Sequence, residues 1–225
     1  MEPASWILLV GLGVWAALDG VSAGQFMVSR PLVTGTLSGW ILGDPWTGFI
    51  LGFFLEILHL PGIPVGGVRL PEPGPATVPA AAAAILLPGP GSLALGAGLG
   101  IVLAQVGGWT VVAQRRWQGA LLAHHSPFSK DPRRLTWVLL GALALDGLRG
   151  LGLVLPALGL VLLLPPSLAQ AWPLSMGETL ALLAVLASAP AGALLAALPT
   201  PRYRWALLGV GLVMGGLLSI WTGVG

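Results

Sequence analysis

The chain has 225 residues, 56% of them hydrophobic and only 8% charged, about a third of the charge a soluble domain carries, and its mean hydropathy of +0.90 excludes a water-soluble globular fold. The absence of cysteine excludes disulfides, thiolate-held metal and thiol catalysis, and the single lysine, Lys130, stands outside any Gly-Lys-Ser/Thr sequence, which excludes a P-loop. The net charge of +2 is gathered in short basic stretches beside apolar blocks, so it bears on orientation in a membrane and not on nucleic-acid binding.

The N-terminus, Met1–Ser5, has no basic region, so Trp6–Leu18 is read as the start of a retained span and not as a signal peptide. Pro31–Gly43 and Trp46–Leu60 offer 13 and 15 apolar or small residues, split by Asp44-Pro45. A helix needs about 20 to cross a bilayer, so the two are either one broken span or a re-entrant hairpin. Pro61–Pro75 holds nine Pro or Gly in fifteen positions, too many for a helix. Irregular backbone at membrane depth is tolerated where protein or a water-filled cavity surrounds it, and short interrupted apolar pieces point to a transport site.

Pro73–Gln114 then runs 42 residues without a charge, and Gly91–Gln114 within it is long enough to span once. Residues 115–134 form a polar stretch with Arg115, Arg116, Lys130, Arg133 and Arg134 against one acid, Asp131, and are expected to be a basic cytoplasmic loop. Leu135–Leu164, Gly177–Leu198 and Trp205–Trp221 are further apolar blocks, separated by Pro165-Pro166 and by Pro199-Thr200-Pro201 with Arg202 and Arg204. The basic turn 199–204 belongs on the cytoplasmic side too, which puts 165–176 and the C-terminus outside. The expected fold class is all-α: a polytopic helical membrane protein with broken or re-entrant helices in its N-terminal half. It forms one membrane domain over 1–225, divided into an N-terminal half (1–114), the basic loop (115–134) and a C-terminal half (135–225).

The few polar residues carry whatever chemistry there is. Asp44 before Pro45 and Asp131 before Pro132 suit N-caps with proline in the first helical position, and Ser175-x-x-Glu178 suits a capping box. Asp146 and Arg149, three apart inside an apolar block, read as a mutually neutralising pair, with a pathway role left open because intramembrane charges usually face a bundle interior. Glu56, late in an apolar helix with His59 on the same face, is paired with His59, snorkels to an interface, or is an acceptor lining a polar cavity. Arg69 and Glu72, in the Pro/Gly segment, engage hydroxyls or each other, unless that segment is simply a solvated connection. His124-His125 reads as solvated, and Asp19, with no capping explanation, stays a candidate together with Gln25. Ala17-Leu18-Asp19-Gly20 recurs as Ala144-Leu145-Asp146-Gly147, a faint echo. No catalytic constellation, metal cluster or phosphate cradle is present, so permeation is favoured over catalysis, with no catalytic residue and no cofactor or metal expected.

Residues 18–44, Leu-Asp-Gly-Val-Ser-Ala-Gly-Gln-Phe-Met-Val-Ser-Arg-Pro-Leu-Val-Thr-Gly-Thr-Leu-Ser-Gly-Trp-Ile-Leu-Gly-Asp, followed by Thr-Gly-Phe-Ile-Leu-Gly-Phe-Phe-Leu-Glu over 47–56, resemble the enzyme IIC subunit of the mannose/fructose/sorbose family of the bacterial sugar phosphotransferase system. Pro71-Glu72 and the Ala-rich segment after it continue the likeness loosely. The resemblance implies a membrane subunit in the bacterial cytoplasmic membrane that passes a hexose or related sugar beside a second membrane subunit, IID. Cytoplasmic IIA and IIB subunits would carry the phosphate, so any phosphoryl transfer would reside in those partners. Carried over by position, Asp19, Gln25, Arg30, Asp44 and Glu56 match the family run. Substrate-binding candidates are therefore Glu56, Asp19, Gln25, Asp44, Arg69 and Glu72, with Glu56 and the segment after it foremost. The resemblance would also place one more apolar helix after Gly225, and it has fewer prolines over 61–75 and no charge like Arg69. A divergent membrane scaffold or regulatory partner, a stand-alone small-solute permease, and homo-oligomerisation remain open.

Overall fold

The computed structural model describes residues 2–60, 69–124 and 132–196, with Trp205, Ala206, Gly209 and Val213 beyond them. The first eight residues of the Pro/Gly segment, His125, Asp131, the 199–204 turn and most of the last apolar block lie outside the described residues. Among the described residues the structure is all helix: α1 (Pro3–Val21), α2 (Pro31–Leu42), α3 (Pro45–His59), α4 (Pro73–Leu86), α5 (Ser92–His124), α6 (Pro132–Leu163), α7 (Ser167–Gln170) and α8 (Met176–Ala196). Three are long and apolar enough to cross a membrane: α1, α5 over Ser92–Gly119, and α6 over Thr136–Leu163.

The expected interruptions are real and have local causes. Helices α1, α2, α3 and α4 all start with proline in their first turn, where its missing N–H costs no intrahelical bond. Helix α2 stops at Gly43, whose φ of +88° gives the left-handed turn that ends a helix, and α3 restarts at once behind the Asp44 cap. At about 1.5 Å per residue, α2 and α3 reach roughly 18 and 22 Å, short of the ~30 Å hydrocarbon layer. They fold back on each other as a hairpin. Gly35 and Gly39 on α2 face Gly48 and Gly52 on α3, and a Cβ added at Gly35 would lie 2.5 Å from the Gly48 carbonyl oxygen. Only glycine lets the two backbones come this close.

Helix α5 does not stop at Gln114. It runs on through Arg115 and Arg116 to His124, so the basic stretch 115–134 is helical over its first ten residues. Arginine and glutamine are good helix formers; they end the apolar surface without ending the helix. Helix α6 likewise begins at Pro132, ahead of the apolar block.

Helix α4 is the centre of the fold. Every residue from Gly74 to Ala84 is buried, and the helix touches α1, α2, α3, α5 and α6. Its small side chains make this possible: a Cβ at Gly96 of α5 would lie 2.7 Å from the Ala80 carbonyl. On one side of α4, Leu9, Val78, Val154 and Leu158 join α1 and α6; on the other, Leu51, Leu55, Ala81, Leu93 and Leu183 join α3, α5 and α8. Helix α1 runs antiparallel to α6, with Gly13 against Val154 and Gly150 against Ala17.

Candidate functional site

A cavity of about 810 Å³ opens where the end of α3, the segment leading into α4, and α5 converge on the loop after α1. Its polar wall comprises Ser29, Arg30, His59, Glu72 and Gln105. Leu58 and Ile101 supply apolar surface, and the backbone of residues 70–75 closes one side.

Ser29 and Arg30 are delivered by a tight loop built on Asp19. Its carboxylate, 2% exposed, accepts the backbone N–H of Phe26 at 2.5 Å and of Ser29 at 2.9 Å. To bring these amides round, Gly24, Gln25 and Met27 take φ values of +99°, +52° and +63°. Gln25 and Met27 are costly there, and the Asp19 bonds hold them in place. Asp19 therefore caps a loop, which sequence spacing could not show because its partners lie seven and ten residues on.

Arg30 projects to Glu56, with Nη1 donating to Oε1 at 2.8 Å, and so ties the open end of the hairpin. The Leu32 N–H points at the other Glu56 oxygen at 3.4 Å. His59 does not pair with Glu56. Its Nδ1 lies 2.8 Å from the Leu55 carbonyl, an acceptor, so Nδ1 carries a proton, and in the neutral form of the ring Nε2 is the acceptor.

Glu72 is seated by α5. Gly107 and Gly108 form a notch, since a Cβ at Gly107 would meet the Glu72 side chain at 3.0 Å and one at Gly108 would collide with the Leu70 carbonyl. The Glu72 N–H donates to the Ala104 carbonyl at 2.8 Å. Its carboxylate is gripped through both oxygens by Arg149 of α6, with Nη2–Oε1 at 2.7 Å and Nη1 on Oε2. Arg149 thus reaches beyond its i,i+3 neighbour Asp146, whose Oδ1 is 3.9 Å from Nε.

Of the six residues singled out by sequence, the structure sets Glu72 on the cavity wall. Glu56 stands behind the wall, holding Arg30. Asp19 lies under it, bonded to the loop. Gln25 sits at the exposed loop tip. Asp44 caps α3, accepting from Thr47 N at 3.0 Å and Thr47 Oγ1 at 2.6 Å. Arg69 does not meet Glu72; its guanidinium lies 4.9 Å from the Trp109 ring centre. Gln105 is not among those six, although an amide in the middle of a 42-residue charge-free run, whose other amide is Gln114 at its very end, is a visible signal. Arg149 was read only with its sequence neighbour, and nothing local announces a partner 77 residues away.

The profile of the PTS system sorbose-specific IIC component family matches residues 5–125. The chain belongs to this family. Curated relatives are a PTS system sorbose-specific EIIC component from Lacticaseibacillus casei, 34% identical over 70 residues, and one from Klebsiella pneumoniae, 25% identical over 156 residues. Those stretches cover 30% and 68% of this chain but only 25% and 58% of the relatives. Solved structures share the fold, two of them over the whole of this chain. One is a membrane protein, with TM-score 0.62 and 18% identity over all of this chain and 95% of the other. The second is a cryo-EM structure of the mannose transporter ManYZ in complex with microcin E492, with TM-score 0.60 and 20% identity over all of this chain and 94% of the other. Membership of this IIC family covers every cavity group named above, since Ser29, Arg30, His59, Glu72 and Gln105 all fall within the matched residues.

Proposed function

We propose that this chain is the IIC subunit of a sugar phosphotransferase system, passing a hexose or related sugar through the bacterial cytoplasmic membrane beside a IID subunit, for phosphorylation by IIA and IIB. The carrying observation is the cavity of about 810 Å³, whose wall combines a carboxylate, a guanidinium, an imidazole, an amide and a hydroxyl at the broken end of α3. Such a set offers acceptors and donors in equal measure. That suits a neutral polyhydroxylated solute better than an ion, for which one sign of charge would dominate. Family membership supports the same reading, as does the sharing of a fold with a mannose transporter.

In this reading Glu72 and His59 Nε2 accept hydroxyl protons, Arg30 and Gln105 donate to ring or hydroxyl oxygens, and the hairpin carries Arg30 and His59 as one unit. The phosphate stays on the partner subunits, so this chain binds and passes sugar without reacting with it. The test is uptake of ¹⁴C-labelled L-sorbose, D-mannose and D-fructose by cells expressing the chain with its cognate subunits. Wild type should accumulate sugar phosphate for at least one of them. Glu56→Gln, which frees Arg30 from its place on the wall, should lower that uptake by about tenfold, the loss of one charge-assisted hydrogen bond. No uptake of any of the three by inserted, partnered wild type would end the reading.

A further inference from the structure

Glu72 belongs to two structures at once. It lines the cavity, yet its side chain is only 10% exposed, and both of its oxygens are held by Arg149. Arg149 comes from α6, the one of the three spanning helices among the described residues that contributes nothing to the cavity wall, and its side chain is 7% exposed. Behind the guanidinium stands a further layer. Nη1 lies 3.3 Å from Thr110 Oγ1, which itself donates to the Gly107 carbonyl at 2.7 Å. Asp146 faces Nε at 3.9 Å, accepts the Gln114 amide at 2.7 Å, and takes the Ser22 hydroxyl on its other oxygen. The guanidinium is therefore backed by Thr110 of α5 and Asp146 of α6, with Nε itself making no hydrogen bond, and Ser22 and Gln114 hold Asp146 in turn.

We propose that Arg149 is a positioning residue for the cavity: its two-pronged grip orients Glu72 as a hydrogen-bond acceptor for substrate hydroxyls, and Asp146 holds Arg149 in register. The inference rests on the sugar-passage reading above and names the device that sets its affinity. Each carboxylate oxygen has two lone pairs. A two-pronged guanidinium engages one on each oxygen and leaves the others to the cavity. The geometry of the fork admits no rotation of the carboxylate while both bonds last. Without Arg149, Glu72 is a buried carboxylate with no counter-charge, a state that a protein relieves by taking up a proton. The group would then present a donor where the substrate needs an acceptor. A lysine would restore the charge with a single bond and leave the carboxylate free to turn.

The experiment measures KM and Vmax for uptake of ¹⁴C-labelled L-sorbose, D-mannose and D-fructose in cells carrying the cognate subunits, with membrane levels of each variant quantified. Arg149→Gln should raise KM by about tenfold, the loss of a charged acceptor, while Vmax per inserted protein changes less. Arg149→Lys should recover part of the loss. Glu72→Gln should give a similar rise, and the Glu72→Gln/Arg149→Gln pair no more than either alone, because both act through one group. Asp146→Asn, which leaves the grip itself intact, should give a smaller rise. Should Arg149→Gln fail to reach the membrane, Arg149→Lys and Asp146→Asn carry the test. Wild-type uptake with unchanged KM in the variants that insert, or effects of Glu72 and Arg149 that add, overturns the positioning role and leaves the transport reading standing. No wild-type uptake overturns both.

Discussion

In the α2–α3 hairpin, four glycines bring two backbones into contact, and the one ion pair, Arg30–Glu56, sits at the mouth with its arginine half exposed. Between α5 and α6 direct contact is sparse, and the join runs through the side chains of Glu72, Arg149, Asp146 and Gln114. Both arrangements answer the same physical problem. Lipid is as apolar as leucine, so helices in it need close packing or polar bonds to stay together. A glycine contact is rigid and local, and it suits a hairpin that must hold its shape. A charge network is strong only while complete, and it ties distant segments to one group at the cavity.

The largest effects should come from cutting the network at its centre. Arg149→Met leaves both Glu72 and Asp146 buried without their cation, and removal of one partner from a buried ion pair costs about 3–5 kcal/mol. Glu72→Leu should cost less, since Asp146 still faces the guanidinium. The double variant Glu72→Leu/Arg149→Met should be more stable than Arg149→Met alone, because the charge that demanded a partner is gone. Denaturant-induced unfolding of the purified protein in detergent ranks the three. An Arg149→Met protein as stable as wild type would show that α6 is held by its apolar face, and the contrast with the hairpin would collapse.

The hairpin should break on a single methyl group. A Cβ at Gly48 would collide with the Gly35 carbonyl oxygen, and overpacking against backbone costs typically 1–3 kcal/mol or about that order. Gly98 of α5 has nothing within 4 Å of an added Cβ, so Gly98→Ala should instead gain about 0.5–1 kcal/mol from helix propensity. The same unfolding assay separates them. Equal effects at the two sites would mean that the hairpin tolerates separation and that its glycines serve no close approach.

The two regions also differ in how far the sequence discloses them. Proline after Asp44, glycine at 43 and two short apolar runs suffice to place the break between α2 and α3, because helix stops and starts are written within a few residues of where they act. The spacing of Gly35, Gly39, Gly48 and Gly52 was available too, as two small-xxx-small pairs, and would have identified the contact face. The apolar surface of α5 stops before the helix does, because charge marks the limit of that surface, while helix continuation depends on backbone propensity, which Arg115, Arg116 and Gln118 satisfy. Around the cavity, proximity in sequence is an incomplete guide. Glu56 looks toward His59 and finds Arg30; Asp146 does pair with Arg149, whose closer grip is on Glu72; Arg69 sits three residues from Glu72 and turns to Trp109. A buried charge takes the best partner that the tertiary fold provides, and one-dimensional spacing lists only the local contenders.

Charges nearer the surface should matter less to stability. Arg30 is 52% exposed, so Glu56→Gln should cost well under the buried network, about 0.2–1 kcal/mol, even as uptake falls. That dissociation of stability from transport sharpens the division between a pair that shapes the cavity mouth and a network that holds helices. A Glu56→Gln protein that unfolds as readily as Arg149→Met would erase the division.

The smallest effect belongs to a charge outside both regions, in the first turn of α8. The Ser175 backbone N–H and hydroxyl each reach Glu178 Oε2 at 2.8 Å, and the Glu178 N–H points back at Ser175 Oγ at 3.3 Å, a complete capping box. These bonds, first the Ser175 backbone N–H and then its hydroxyl, hold the Glu178 carboxyl below its ordinary value. A carboxyl depressed in the folded state favours folding fully at pH above its unfolded value and loses that contribution as pH falls through its folded one. Wild type should therefore be marginally more stable than Ser175→Ala at neutral pH, and the gap should narrow as the pH is taken below the carboxylate range. Following the midpoint of thermal unfolding for both proteins across that range removes the contribution of the other carboxylates, which titrate alike in the two. A gap that stays constant would assign the cap to the serine hydroxyl alone, with the Glu178 charge idle at the surface.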